Sequence, residues 1–251
     1  MDKNLRPCIA ELLGTFVLCF LGAGAICMDA VMRSNPATAA AAPGLLGIAL
    51  AYGIAMAIAV SATMHISGGH LNPAVTICMW VLGRVDTFQM ISYIVSQLAG
   101  AMIAGGFIII IFQKSVASNA GYGTPHVGIA AFTQTEANTM WMACLIELIL
   151  TFILVFAIFG TVIDRRAPHI AGFGIGLAIL CDVLVGGPYT GAAMNPARYF
   201  GLAVWEAGAT ADPTRMRDFY VYIIGPVLGA ILAGWVYTSF VLSPEQKEPA
   251  A

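Results

Sequence analysis

The stretch HISGGHLNPAVT, residues 65–76, decides the fold together with a later stretch, GAAMNPAR, residues 191–198. Both contain the same triplet, at Asn72-Pro73-Ala74 and at Asn195-Pro196-Ala197. Proline is favoured at the first position of a helix, where its missing N–H costs nothing. Asparagine directly before it is a good N-cap. Each triplet therefore predicts the first turn of a helix.

The apolar runs at the two triplets are too short to cross a bilayer, which takes roughly 20 apolar residues. They cover Leu71–Leu82 and Met194–Trp205, and each follows a glycine-containing approach at Gly68, Gly69 or Gly191. Re-entrant helices of this kind are tolerated only where protein or a watery cavity surrounds them. The sequence thus predicts two half-helices beside a pore.

The composition places the rest of the chain in lipid. Of 251 residues, 59% are hydrophobic and 10% are charged, whereas a soluble protein carries about 25% charged residues. A net charge of −2 without a basic run gives no reason to expect a nucleic-acid partner. Six stretches are long enough to span: Cys8–Met28, Gly44–Met64, Phe88–Phe112, Trp141–Ile163, His169–Gly186 and Phe219–Val241.

The chain repeats itself. Three features recur in the same order in residues 8–112 and 141–241. The first is a glutamate, Glu11 or Glu147, followed four residues later by a Thr-Phe pair, and the second is the triplet. The third is a related run, YIVSQLAGAMIAG from Tyr93 and YIIGPVLGAILAG from Tyr222. Three spans in each half put the second copy into the membrane upside down, as an inverted repeat within one channel domain, 1–251. Both half-helices then point their N-termini at the bilayer midplane.

The distribution of basic residues orients the chain with both termini in the cytoplasm. The predicted inside positions are Lys3, Arg6, Arg84, Arg165, Arg166 and Lys247. The predicted outside positions are Arg33, Lys114, Arg215 and Arg217.

Two helix N-termini that meet in a pore bring two positive dipole ends together. A cation or hydronium is repelled there, while water can accept hydrogen bonds from the amides of Asn72 and Asn195. This pattern favours a passive channel for small uncharged molecules.

The two signature stretches resemble those of aquaporins, the major intrinsic protein family, and the similarity covers nearly the whole chain. The resemblance implies an all-α membrane protein: a right-handed bundle of six transmembrane helices and two re-entrant half-helices. It implies a homotetramer in the lipid bilayer with one pore per subunit, without cofactor or metal, and a place in the cell membrane.

Arg198 is an intramembrane charge and therefore a candidate functional residue. It is similar to the filter arginine of the family, and the family's spacing puts the other filter positions at Tyr52, Val183 and Ala192. Strict water channels of the family commonly have histidine where this chain has Val183. The predicted ring is wider and more apolar, which admits glycerol, urea or ammonia as additional permeants.

Two features favour water instead. Tyr199 stands where glycerol channels of the family usually have aspartate, and the outer connection from Gly208 to Asp218 is short. We therefore predict water conduction, and a glycerol or small-solute facilitator of the same family remains the alternative.

Four other residues carry predictions. The resemblance makes Glu11 and Glu147 structural supports of the re-entrant loops rather than a proton relay. His65 is expected at the cytoplasmic vestibule, in a static or a pH-gating role. Asp182 departs from the family pattern; we expect a buried hydroxyl or amide partner, or a role in positioning Arg198 or attracting a solute.

Three other classes of protein fit less well. An ion-coupled transporter needs paired carboxylates at the midplane, and no hydrolase or protease motif supports a membrane enzyme. Intact triplets and Arg198 argue against a closed, purely structural member of the family. The six cysteines lie in apolar stretches without a C-x-x-C pair, and we interpret them as free thiols.

Overall fold

A computed structural model describes residues 5–112, 118–128, 136–168, 170–211 and 216–242. Within these ranges the secondary structure is helical, without a β-strand. His169, the predicted start of the fifth span, lies outside the described residues, as do Lys3, Lys114, Arg215 and Lys247 of the orientation argument.

Eight α-helices form the part of the fold that the described residues cover. They are α1 (Leu5–Ser34), α2 (Gly44–Ser67), α3 (Pro73–Val81), α4 (Thr87–Ile111), α5 (Glu136–Ile158), α6 (Ala171–Thr190), α7 (Pro196–Thr210) and α8 (Val221–Val236). Wider π-helical turns extend α5 over Phe159–Ile163 and α8 over Tyr237–Val241. Six of these elements, all except α3 and α7, are long and apolar enough to cross a membrane, which confirms the predicted multi-spanning fold.

Hydropathy located the spans better than it located their ends. α1 begins at Leu5 and continues to Ser34, beyond the predicted Cys8–Met28. Its last turns are held by an ion pair between Arg33 and Asp29 at 2.7 Å, which stabilises helix where the chain is no longer apolar. α6 continues past the predicted end at Gly186 to Thr190, although Pro188 lies in its last turn. The left-handed Gly191 then ends the helix, with φ of 74°.

Glycines allow the spanning helices to approach backbone to backbone. A Cβ on Gly100 of α4 would lie 2.2 Å from the Leu12 carbonyl oxygen, and a Cβ on Gly229 of α8 would lie 2.2 Å from the Leu148 carbonyl oxygen. Both pairs occupy matching places in the two halves. Where α2 crosses α6, a Cβ on Gly53 would lie 2.6 Å from the carbonyl oxygen of Gly176.

The half-helices join elements that are distant in sequence. α3 packs mainly against α8, near the end of the described chain, and α7 packs mainly against α4. The first turns of α3 are buried in this arrangement: Ala74, Val75 and Cys78 are no more than 1% exposed, whereas Trp80 and Val81 at the end of the helix are exposed. The first turn of α7 is buried as well, so protein encloses the N-terminal end of each short helix, which is the condition for that end to lie inside the membrane.

Candidate functional site

The first turns of α3 and α7 meet at the centre of the fold. Each triplet asparagine caps its own helix, since Asn72 Oδ1 accepts the Ala74 N–H and Asn195 Oδ1 accepts the Ala197 N–H, both at 2.9 Å. The amide nitrogens then reach across. Asn72 Nδ2 donates to the Met194 carbonyl and Asn195 Nδ2 donates to the Leu71 carbonyl, both at 2.8 Å. The two tips are therefore joined by a reciprocal pair of hydrogen bonds.

Leu71 and Met194, the acceptors of these bonds, have left-handed backbone conformations, with φ of 51° and 53°. This conformation is unusual for bulky residues and costs on the order of 1–3 kcal/mol. It turns each carbonyl toward the opposite asparagine. Sequence reasoning missed both residues, because leucine and methionine give no local signal for positive φ.

A buried carboxylate holds the loop before α3. Glu11 of α1 accepts hydrogen bonds from the Ser67 hydroxyl at 2.6 Å and the His70 N–H at 2.9 Å. Its second oxygen accepts the Leu71 N–H at 2.6 Å and the Gln97 amide at 2.7 Å. Four donors therefore converge on one side chain that is 0% exposed, and this satisfies backbone N–H groups that have no other acceptor in a loop.

Glu147 of α5 does the same for the loop before α7. It accepts the Thr190 hydroxyl at 2.6 Å, the Ala193 N–H at 2.9 Å and the Met194 N–H at 2.7 Å. Like Glu11, it is 0% exposed. Because Met194 also receives the Asn72 amide, Glu147 and the asparagine tip are linked through one residue.

Tyrosines brace the same loops. Tyr93 donates its hydroxyl hydrogen to the Ser67 carbonyl at 2.9 Å, and Tyr222 donates to the Thr190 carbonyl at 2.8 Å. In the second half, Tyr199 stacks on Tyr222 with ring centroids 4.4 Å apart. Tyr199 stands where glycerol channels of the family usually have aspartate. In this structure it is buried and forms part of the support of the loop.

Arg198 lies beyond the second triplet, 2% exposed. Its Nε donates to the Tyr52 hydroxyl at 3.1 Å, Nη2 donates to the Gly191 carbonyl at 3.0 Å, and Nη1 donates to the Ala192 carbonyl. The guanidinium carbon also lies 4.2 Å from the centroid of the Tyr52 ring. These partners are neutral oxygens and a π-face, so they fix the guanidinium without cancelling its positive charge.

A narrow cavity of about 10 Å³ connects the asparagine tips with Arg198. Tyr52, Asn72, Ala192, Asn195 and Arg198 border it, together with apolar side chains such as Ile179. The structure thus brings together three of the four predicted filter residues and both asparagines.

Two predicted residues stand apart from this cavity. Val183 is 3% exposed and lies one turn after Ile179 on α6, but it is not among the residues that border the cavity. His65 is exposed in the last turn of α2 and borders a groove between α1 and α2, beside Arg6.

Gly22 is a site residue that the sequence did not reveal. A Cβ at this position of α1 would lie 1.9 Å from Cε1 of Tyr52. The missing side chain is what makes room for the tyrosine ring under Arg198. The only sequence signal is a glycine in an apolar helix, which is common in membrane proteins and therefore uninformative.

Asp182 has neither a hydroxyl nor an amide partner among the described residues. Its side chain is 2% exposed, and its Oδ2 makes no hydrogen bond there. It lies on the buried face of α6, in the field of Glu147. An unpaired carboxyl group in this place is destabilising.

We expect replacement of Asp182 by leucine, which has a similar branched shape, to raise the stability by about 1–3 kcal/mol, because a buried group without a partner is removed. The thermal unfolding temperature of the purified protein in detergent measures this. Asp182→Asn is the matched control, since it keeps an unpaired polar group and should gain little. A lower unfolding temperature for both variants would indicate a partner that stabilises the carboxyl group.

Six spanning helices and two half-helices joined at capped asparagines define a membrane channel. The family described as Major intrinsic protein matches residues 1–237. Aquaporin TIP4-4 of Zea mays is 35% identical over 98% of this chain and 90% of its own length. Aquaporin AqpM of Methanothermobacter marburgensis is 36% identical over 94% of this chain and 98% of its own. The crystal structure of the aquaglyceroporin from Plasmodium falciparum superimposes with a TM-score of 0.80 at 26% identity, covering 95% of this chain and 97% of that one.

The chain therefore belongs to the major intrinsic protein family, the aquaporins, which are multi-pass membrane channels for water or small solutes and not enzymes.

Proposed function

We propose that this protein is a passive water channel whose pore excludes ions and protons. The observation that carries the proposal is the cavity of about 10 Å³ between Asn72, Asn195 and Arg198. This volume holds roughly one water molecule, which meets both polar groups and apolar side chains in the lining. Each asparagine amide donates one N–H to a carbonyl before the opposite half-helix. Its second N–H is the donor that a passing water molecule can use.

Exclusion of cations follows from fixed charges at two levels of the pore. The N-termini of α3 and α7 present positive dipole ends at the asparagines. Beyond them, Arg198 adds a full positive charge that Tyr52 and two carbonyls hold in place. A hydrated cation would have to lose its water shell in a narrow site where both features repel it.

The test is osmotic shrinkage of proteoliposomes in sucrose, followed by light scattering. We expect shrinkage much faster than in empty vesicles, and no dissipation of an imposed pH gradient beyond the empty-vesicle rate. Shrinkage at the rate of empty vesicles would overturn the proposed water pathway. Rapid collapse of the pH gradient would overturn the proposed proton exclusion.

A facilitator of glycerol or another small neutral solute is the second candidate. The small, apolar side chains of Val183 and Ala192 favour it, as does the fold shared with a protein named as an aquaglyceroporin. The same vesicles, shrunk in glycerol or urea instead of sucrose, separate the two functions. Re-swelling faster than in empty vesicles would establish solute conduction, whereas slow re-swelling with fast water flow would leave a water channel.

We also propose that residues 8–112 and 141–241 act as two halves of one channel domain, that both termini are cytoplasmic and that the protein works as a homotetramer in the cell membrane. Exposed apolar side chains on the spanning helices, such as Ile110 at 78% and Trp141 at 74%, support contact with lipid or other subunits. In that orientation His65 faces the cytoplasm. The mass of the detergent-solubilised particle tests the assembly, and a monomeric mass would contradict it.

A further inference from the structure

A cluster of charged side chains lies beside the filter, outside the pore. His126 belongs to the loop 118–128, the described part of the connection between α4 and α5, which lies on the side of Arg198. Its Nε2 lies 2.6 Å from a carboxylate oxygen of Glu206, which is 0% exposed. Its Nδ1 lies 3.8 Å from a carboxylate oxygen of Asp218. One imidazole ring thus stands between two acidic groups.

The positions of the two carboxylates favour the doubly protonated ring. Only imidazolium carries an N–H on both nitrogens, so loss of one proton leaves a lone pair facing a carboxylate. Burial works against the charged ring, but the negative charges of Asp218 and Glu206, with the hydrogen bond to Glu206, outweigh it and raise the pKa of His126 to about 9. Burial likewise works against the Asp218 carboxylate, but His126, Val127 and Tyr199 lower its pKa.

The other titratable groups around the ring do not change charge in the same range. Tyr199 of α7 donates to Asp218 at 3.0 Å and is therefore protonated. Burial, with Cys27 and Glu206 nearby, raises the pKa of Tyr122, next to Gly121 at the ring, above its ordinary value of 10. Arg198 is the next charged side chain, and it lies on the far side of Gly191 from the ring.

The cluster is connected to the filter through the backbone. Val127 next to His126 donates its N–H to Asp218 at 3.2 Å, and Gly128 donates to the Tyr189 carbonyl at 2.7 Å. The same loop lies against Gly191, where a Cβ would come within 2.8 Å of Pro125 Cα. Gly191 in turn presents the carbonyl that accepts Arg198 Nη2 at 3.0 Å.

We infer that His126 is a positioning residue of the selectivity filter: paired with Glu206 and Asp218, it presses the loop 118–128 against Gly191 and so fixes the carbonyls that orient Arg198. Deprotonation of the ring releases the contact with Asp218, loosens the loop and frees Arg198 to move. The channel then discriminates less sharply between water and a small solute. This inference rests on the proposed water pathway and adds a residue that lies outside it.

The sign of the pH effect follows from the direction of the shift. A histidine whose pKa rises on folding contributes stability fully below its ordinary value of 6.5, and this contribution is lost as pH increases through about 9. We therefore expect the wild-type ratio of urea permeability to water permeability to be low and constant up to about pH 8. It should rise several-fold with a midpoint near pH 9.

The experiment measures this ratio in proteoliposomes with equal pH on both faces, from pH 6.5 to 10. His126→Gln cannot be charged, so its ratio should be high at every pH. His126→Arg remains charged, so its ratio should be low at every pH. The matched control is Arg33→Gln, which removes a cation at the end of α1 that is paired with Asp29 instead of with this cluster; it should keep the wild-type midpoint.

A second measurement does not depend on transport. The difference in unfolding temperature between the wild type and His126→Gln should be largest at pH 6.5 and vanish above pH 9. A flat wild-type ratio, or a pH-independent difference in unfolding temperature, would overturn the role of His126. Absence of water flow at every pH would instead overturn the proposed function. In that case the unfolding temperatures would still test the role of His126.

Discussion

Replacement of Glu147 by alanine is expected to abolish water flow and to destabilise the protein severely. The carboxylate accepts three buried donors, from Thr190, Ala193 and Met194. Each donor left without an acceptor costs about 1–3 kcal/mol, so the sum approaches the total stability of roughly 5–15 kcal/mol of a typical folded protein. Released, the loop no longer places Met194 opposite Asn72. Osmotic shrinkage of proteoliposomes and the yield of folded protein in detergent measure the effect.

The matched control for Glu147 lies one turn further along α5. Thr151 is also 0% exposed, but its hydroxyl donates only to the Glu147 main-chain carbonyl, within the same helix. Thr151→Val keeps the shape and leaves the loop before α7 untouched, so flow and stability should stay near the wild type. Glu11→Ala, which removes the acceptor of four donors in the other half, should be as damaging as Glu147→Ala. Wild-type flow through Glu147→Ala would refute the supporting role.

The sequence predicted those features that depend on local chemistry. Twenty-residue apolar runs have one stable form in lipid, because a helix alone satisfies its backbone within one segment. The caps at Asn72 and Asn195 were predictable for the same reason, since an asparagine and the N–H groups that it caps are adjacent in sequence. The repeat also predicts the orientation of the second half, because the number of spans fixes which way each copy enters the membrane; this orientation stays a prediction.

The remaining features depend on contacts between distant residues. The Leu71 carbonyl is turned toward Asn195, which is 124 positions away in sequence. No local pattern predicts a left-handed leucine, because that conformation is unfavourable until the opposite half-helix supplies the donor. At Asp182 the sequence predicted a contact that the described residues do not supply. A polar residue in an apolar helix predicts a buried hydrogen-bond partner, but no described neighbour of α6 donates to its Oδ2. The sequence did not predict a role for His126, because its two acidic neighbours, Glu206 and Asp218, are 80 and 92 positions away.

A methyl group added at Gly22 is expected to close the pore. The new Cβ would lie 1.9 Å from Cε1 and 2.2 Å from Cζ of Tyr52, far inside van der Waals contact. Tyr52 is 1% exposed and its ring lies 4.2 Å from the Arg198 guanidinium, so the open space into which it can move is the cavity that both residues border. That cavity holds about one water molecule, and even a small displacement of the ring fills it. Water flow through Gly22→Ala should fall to the level of empty vesicles.

The fold itself should survive this change, because overpacking of this kind costs about 1–3 kcal/mol. A cooperative unfolding transition a few degrees below that of the wild type would therefore separate a blocked pore from an unfolded protein. Gly24→Ala is the matched control: it lies two residues along α1, and its Cβ would meet only Ile108 Cδ1, at an ordinary 3.7 Å. If Gly22→Ala conducts water as fast as Gly24→Ala, then Tyr52 does not border the permeation path. Loss of flow in Gly22→Ala but not in Gly24→Ala would show that Tyr52 lies at the constriction, because the two variants differ in which side chain the added methyl group contacts.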